Sequence, residues 1–204
     1  YYHRRLIESF KPIAFNFNIE NNFAILATRQ VTRNQYEHSF VTNRMIEIKA
    51  CSHDRNTQLF PFMVLKNENE SGFEIRPNIN KQLFKSICTH LSLSGNYVCD
   101  INHQNGQAVI PSSIFYYSYA ILNSPFYRLK NFQFLKTSFP RIPFTSNNKL
   151  FFELVKLGSD LMSLHLLHSN SDNLESNNFE FTLPFDIPKC EFIEGSNGRV
   201  IGSI

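Results

Sequence analysis

The stretch NSPFYRLKNFQFLKTSFPRIPF, residues 123–144, determines how we divide this chain. Its apolar residues recur at helical spacing, the Ser124–Pro125 pair predicts a bend, and the closing Pro-Arg-Ile-Pro run predicts a stop. The stretch lies in residues 101–152, which hold five Lys and Arg and neither Asp nor Glu. Such a segment produces a positive field that attracts polyanions, although a basic cluster is more often a solvated helix face.

The composition predicts a globular chain in a reducing compartment. The 204 residues are 42% hydrophobic and include 21 Phe, which is enough for a sizeable core. Mean hydropathy is −0.26 and no apolar run reaches membrane-spanning length, so we predict no membrane segment. Four Cys are scattered without a CxxC pair, and their spacing from His is irregular. We therefore expect a cytoplasmic location, with neither a disulfide scaffold nor a metal site.

The first half of the chain has the features of a sheet. Asn22–Thr28 is a compact apolar run of strand length, and later segments alternate polar and apolar residues. Pro61 predicts an edge strand or a bulge. We predict strands over Asn22–Thr28, Ser39–Thr42, Met45–Ala50 and Thr57–Leu65, and loops over Asn67–Asn80 and Gly95–Gly106.

The second half is helical. We predict helices over Ile79–Leu93, from Pro111 to about Leu122, from Pro125 to about Thr137, and over Ser146–His168. In the last of these, five Leu between Leu150 and Leu164 recur in steps of four and three, which is typical of a packing seam. We expect this leucine seam to pack against the helix around Ile114–Leu122. The alternative is an exposed surface for protein interaction or assembly.

These patterns predict an α+β protein: an N-terminal mixed β-sheet with a flanking helix, followed by a helical spacer or docking part. The predicted divisions are an α+β domain over residues 1–110, a helical segment over residues 111–168 and a tail over residues 169–204. The tail contains strand-like pieces at Phe179–Leu183 and around Phe192. We expect it either to be truncated or to return to the sheet.

The chain has no recognisable catalytic motif. It contains no Gly-rich phosphate loop, no Gly-x-Ser-x-Gly elbow and no His-Glu-x-x-His. It has no Pro-Pro pair, so an Asn-Pro-Pro-Tyr adenine-methyltransferase motif is absent. Glu47-Ile48-Lys49 matches half of a nuclease signature, and we interpret it as a strand with alternating faces. We predict no catalytic residue in this chain.

The polar segment after the Asn22–Thr28 strand points to nucleic-acid binding. Arg pairs with guanine, and Asn or Gln pairs with adenine, so such side chains at a strand end can read base edges. The candidates are Arg29, Gln30, Arg33 and Asn34. Basic residues elsewhere suit phosphates, namely Arg4, Arg5, Lys49, Arg55, Arg128, Lys130, Lys136 and Arg141. The alternative for residues 29–35 is an ordinary polar connection.

Several blocks, in this order, resemble the C-terminal target-recognition region of single-chain restriction–modification enzymes, the Type ISP and Type IIG DNA methyltransferases. The most specific are Tyr-Ala-Ile-Leu-Asn-Ser-Pro-Phe-Tyr-Arg and Phe-Pro-Arg-Ile-Pro, which fall in the last two thirds of the chain. The matching blocks span Tyr1–Glu8, Asn22–Gln30, Phe40–Glu47, Thr57–Met63, Ile114–Arg128, Phe134–Phe144 and Phe151–Leu167.

The resemblance implies a domain that recognises a short sequence in double-stranded DNA and presents it to a methyltransferase domain of the parent chain. That parent would methylate adenine with S-adenosylmethionine, often beside a nuclease activity, and this chain itself would hold no cofactor. Because residues 27–30 belong to a shared block, Arg29 could instead hold a phosphate or the Glu47 carboxylate. Arg33, Asn34 and Arg44 would then be the better base readers.

Overall fold

The computed structural model describes residues 19–32, 34–68, 72–101, 108–167, 192–194 and 200–202. The chain divides into two compact units, residues 1–168 and residues 169–204. In the second unit, β6 (Phe192–Glu194) pairs antiparallel with β7 (Val200–Gly202). The strand predicted around Phe192 is therefore confirmed, whereas the piece at Phe179–Leu183 lies outside the described residues.

The first unit is built on a three-stranded antiparallel sheet. Its order is β2–β1–β3, and the strands are β1 (Ala24–Thr28), β2 (Ser39–Thr42) and β3 (Thr57–Pro61). All five residues of β1 are buried, as its continuous apolar sequence requires of a central strand. Pro61 cannot donate to a ladder, and it closes β3 at the edge of the sheet as predicted.

A second, two-stranded sheet follows. It consists of β4 (Met63–Glu68) and β5 (Gly72–Pro77), paired antiparallel. The prediction of one strand over 57–65 was wrong, because the chain leaves the first sheet at the fully buried Phe62. The predicted loop over 67–80 was wrong over β5. The α+β class is confirmed, with antiparallel sheets in place of one mixed sheet.

Met45–Ala50 forms no strand, contrary to the prediction. Residues 45–47 have no regular structure and residues 48–50 form a turn, where the carbonyl of Ile48 accepts a hydrogen bond from the amide of Thr57 at 2.7 Å. Met45 and Ile48 are 60% and 47% exposed, so neither apolar side chain joins the core. Alternation makes a strand only where a neighbouring strand pairs with it, and no strand in the described part of the chain pairs with this segment.

The helices begin where polar or Pro residues predict. Asn80 accepts hydrogen bonds from the amides of Gln82 and Leu83, and Asn147 accepts one from the amide of Leu150. Ser124 ends one helix and caps the next, so the predicted interruption at Pro125 is confirmed. The helices are α1 (Lys81–His90), α2 (Pro111–Asn123), α3 (Pro125–Lys130), α4 (Phe132–Leu135) and α5 (Asn148–His165). None of the helices in the described part of the chain combines the length and apolarity needed to cross a membrane.

An aromatic cluster joins the first sheet to α2. The ring of Phe23 stacks on Phe62 at 5.2 Å between centroids and on Tyr116 at 5.7 Å. Phe115 meets Phe62 edge-on at 5.3 Å. Such pairs are worth about 0.5–1.5 kcal/mol each beyond their buried area. The aromatic-rich sequence therefore builds one core beneath both the strands and the helices.

The predicted pairing of α2 with α5 is confirmed, but only Leu154 and Leu161 of the leucine seam pack against the core, and both are half-buried. The buried residues of α5 are Phe151, Val155, Gly158 and Met162. Leu150, Leu157 and Leu164 are 43%, 61% and 57% exposed. Each buried residue follows a leucine of the seam by one position, which turns the packed face by about 100° around the helix. The face is turned in this way because the helices meet at Gly158. A Cβ there would lie 1.9 Å from the carbonyl oxygen of Tyr116, so only glycine permits this approach.

Candidate functional site

The polar segments that follow β1 and precede β3 lie at the same end of the first sheet. In the antiparallel register, Thr28 at the end of β1 faces Thr57 at the start of β3, and Ala27 faces Ser39. The segment after β1 and the segment before β3 therefore leave the sheet side by side. We call residues 29–32, 34, 35 and 48–56 the loop edge.

Asp54 fastens the two segments of the loop edge together. Its Oδ2 accepts a hydrogen bond from Thr32 Oγ1 at 2.8 Å, and its Oδ1 accepts one from Ser52 Oγ at 2.6 Å. These two bonds, Ser52 first, lower the pKa of Asp54 to about 2. Arg55 Nε lies 3.7 Å from Asp54 Oδ2. The carboxylate thus stays ionised at neutral pH and holds the segments in register.

Buried residues hold both segments at the sheet. Val31 and Tyr36 are almost fully buried, and Tyr36 Oη lies 2.8 Å from Ser39 Oγ. Burial raises the pKa of Tyr36 to about 12, so its hydroxyl stays protonated. On the other segment, the amide of Cys51 donates to Thr57 Oγ1 at 2.9 Å. Exposed side chains between such anchors are held in place by the scaffold.

A third segment reaches the loop edge from the helical part. The amide of Val31 donates to the carbonyl of Lys136 at 3.3 Å, just beyond the end of α4. The contact brings the acid-free segment 101–152 to the loop edge, and it joins residues more than one hundred positions apart. Sequence spacing gives no signal of it.

The structure brings together three of the five candidate base readers. Arg29, Gln30 and Asn34 are exposed in the loop edge. Arg33 lies outside the described residues. Arg44 follows Thr42, which faces Ala24 at the opposite end of β1, roughly 14 Å from Thr28 at about 3.4 Å per residue.

Three candidate phosphate ligands lie in or beside the loop edge. Lys49 and Arg55 lie within the loop edge, and Lys136 adjoins it through the bond to Val31. Asp54 is the single acid among the residues that define the loop edge. The result is a surface whose exposed hydrogen-bonding groups are flanked by half-buried positive side chains, which suits an anionic partner.

The remaining phosphate candidates make different contacts. Arg128 donates from Nε to the carbonyl of Leu122 at 2.7 Å and from Nη2 to Asn123 Oδ1 at 2.8 Å, so it closes the C-terminal end of α2. Lys130 and Arg141 lie over aromatic rings on the surface of the helical part. Arg4 and Arg5 lie outside the described residues. A phosphate role for each stays a prediction.

Sequence reasoning missed Thr32, Ser52 and Asp54. Candidates for DNA binding are basic and amide side chains, so an acid is not among them, although Ser-His-Asp at 52–54 is a turn-forming composition. The carboxylate organises the loop edge without being a reader. Among the described residues, no group of three or more His, Cys, Asp and Glu is arranged to hold a metal ion.

Comparisons with known proteins place this chain in a family. A model of the Type ISP C-terminal specificity domain matches residues 1–195, so the chain belongs to that family. A DrdV–DNA complex solved by cryo-EM is similar, with 26% identity, a TM-score of 0.53, and coverage of 72% of this chain and 12% of that one.

A second similar structure is the ATP-dependent Type ISP restriction–modification enzyme LlaBIII bound to DNA. It shares 18% identity and the fold, with a TM-score of 0.54, over 73% of this chain and 8% of that one. This chain therefore spans about a tenth of the length of these two. Comparison with the curated proteins found no significant match.

Proposed function

We propose that this chain recognises a DNA sequence, with the loop edge as its reading surface. The observation that supports this most strongly is the meeting of Arg29, Gln30 and Asn34 with three flanking cations at one end of a buried strand. Family membership and the similarity to a DrdV–DNA complex support the same partner.

The chemistry divides the work between two kinds of side chain. Arg29 can make paired hydrogen bonds to guanine O6 and N7, and Gln30 or Asn34 to adenine N6 and N7. Lys49, Arg55 and Lys136 would hold phosphates, which fix the position of the duplex without reading it. Arg44 would read a different part of the site or none, because it leaves the sheet at the opposite end.

We further propose that the chain serves a larger enzyme. The parent would be an adenine-specific DNA methyltransferase that uses S-adenosylmethionine, and this domain would position the target base for it. The support is the resemblance of the sequence blocks and the small share of each similar chain that this one covers. A cytoplasmic location remains a prediction.

Sequence preference tests the reading surface directly. Duplexes bound by the purified protein would be selected from a random library, for the wild type and for Arg29→Ala, Asn34→Ala and Arg44→Ala. We expect Arg29→Ala or Asn34→Ala to relax one position of the selected site, by about 1–3 kcal/mol. If both variants keep the wild-type preference, base reading lies elsewhere, and a change confined to Arg44→Ala would place it at the opposite end of the sheet.

The exposed leucines of α5 favour a second role, as a docking surface for the rest of such an enzyme. Leu157 and Leu164 are more than half exposed and lie two turns apart on one side of the helix. Replacing both with Glu should weaken association with the other domains while DNA binding by this chain is unchanged. Unchanged association would remove the docking role.

A further inference from the structure

Helix α3 presents two large apolar side chains to solvent. Phe126 and Leu129 are 72% and 80% exposed, and a spacing of three places them on the same side of the helix. The intervening Tyr127 is buried, and its hydroxyl donates to the carbonyl of Arg141 at 2.8 Å. Tyr127 thus fixes the rotation of α3 and, with it, the outward direction of the other two.

Positive charges lie over the aromatic rings of this surface. Lys130 Nζ lies 5.6 Å from the ring centroid of Phe126, and Lys136 Nζ lies 5.6 Å from that of Phe132. A third pair has Arg141 Cζ 4.5 Å from the centroid of Phe134. Such contacts are favourable by about 0.5–1 kcal/mol at exposed sites. We call Phe126, Leu129, Lys130, Phe132 and Lys136 the basic aromatic face.

This face adjoins the loop edge at Lys136. Lys136 belongs to the face, and its carbonyl accepts the hydrogen bond from the amide of Val31. A duplex held at the loop edge would therefore extend toward α3 and α4. The face also lies within the segment 101–152, which has no acid to repel a phosphate.

Exposed apolar groups often mark a protein partner, but the charges here favour a nucleic acid. Protein interfaces are depleted in Lys, whereas nucleic-acid surfaces alternate cations that hold phosphates with apolar groups that touch sugars or bases. We propose that Phe126 and Leu129 press on the deoxyribose edges of the DNA backbone, between phosphates bound by Lys130 and Lys136. The proposal rests on the proposed function and adds a contact that carries no sequence information.

The apolar and ionic parts of this contact have different salt signatures. Loss of an apolar contact weakens binding equally at every salt concentration, whereas loss of a phosphate contact also flattens the dependence of affinity on salt. The test uses fluorescence anisotropy with a duplex of mixed sequence and the purified protein. The variants are Phe126→Ala/Leu129→Ala and Lys130→Ala/Lys136→Ala, and Leu157→Ala/Leu164→Ala serves as a control of similar exposure on α5.

We expect Phe126→Ala/Leu129→Ala to bind about tenfold more weakly with an unchanged salt slope. The lysine variant should lower the slope by about two, and the α5 control should match the wild type. Wild-type affinity in Phe126→Ala/Leu129→Ala would overturn the proposal and indicate a protein partner for this face. If the wild-type protein bound no duplex at all, the proposed function itself would fail. Because these side chains are exposed, we expect each variant to fold, and thermal unfolding checks that it does.

Discussion

The α2–α5 helix pair and the loop edge are held together in opposite ways. The helices meet through buried, uncharged groups, with Phe151 and Val155 fully buried and Gly158 allowing the two backbones to touch. The loop edge is charged and mostly exposed or half-buried, and hydrogen bonds from Thr32 and Ser52 to one carboxylate join its segments. The difference suggests that stability resides mainly in the first region and binding in the second.

The two regions also tolerate change differently. At a packed helix interface, the loss of even one methylene group lowers the stability of the fold, because the interior has few voids. An exposed surface can change its side chains at little cost to stability. Substitutions should therefore separate stability from DNA binding, and the predictions below test that separation in order of expected effect.

The largest effect is expected for Phe151→Ala in α5. Phe151 is fully buried and stacks on Tyr117 at 5.1 Å between centroids, so its removal should cost about 3–5 kcal/mol in the free energy of unfolding. Urea unfolding monitored by circular dichroism measures this. Leu157→Ala is the control, because the neighbouring face is exposed and the cost should stay below about 0.5 kcal/mol. Equal losses would mean that the leucine seam is packed after all.

Gly158→Ala should destabilise the protein by about 2–3 kcal/mol, although this change usually stabilises a helix by about 1 kcal/mol. The sign reverses because the added Cβ would overlap the carbonyl oxygen of Tyr116. The same urea titration provides the measurement, with Lys156→Ala on the exposed side as a control. A stabilised Gly158→Ala protein would show that the helices do not meet at this residue.

The hydrogen bonds to Asp54 in the loop edge predict a smaller effect on stability, one that depends on pH. The pKa of Asp54 is lowered to about 2 in the folded protein, against about 3.9 in an unfolded chain. Its contribution to stability is therefore fully present above pH 4 and is lost as the pH falls toward 2. Urea midpoints between pH 5 and pH 2 should fall more steeply for the wild type than for Asp54→Asn. Parallel curves would show that Thr32 and Ser52 do not bind the carboxylate.

Local signals in the sequence predict most of the element positions. The apolar run before Thr28, the Pro at the start of α2, and the caps at Ser124 and Asn147 each act within a few residues. The rotation of α5 was missed because it depends on the meeting of Gly158 with a residue of another helix. Strand β5 was missed because its four alternating residues, 73–76, stand between turn-rich flanks, and their strand signal is too short without the partner β4.

The candidate site shows the same division between local and long-range information. The residue types after β1 and their place at a strand end can be read from the sequence. The approach of Lys136 and the fastening by Asp54 depend on hydrogen bonds between distant segments. Arg44 was predicted as a base reader together with the others because spacing does not show to which end of the sheet a residue belongs.

The salt dependence of DNA binding tests most directly the claim that the loop edge holds the duplex. The protein would be compared with Lys49→Ala/Arg55→Ala/Lys136→Ala and with a control of equal charge, Lys85→Ala/Lys149→Ala/Lys156→Ala, in which the exposed lysines lie on α1 and α5. We predict that the first variant lowers the slope of log affinity against log salt by about three, one for each phosphate contact, and that the control lowers it by less than one. Equal slopes for the two variants would contradict the assignment of the DNA-binding surface to the loop edge.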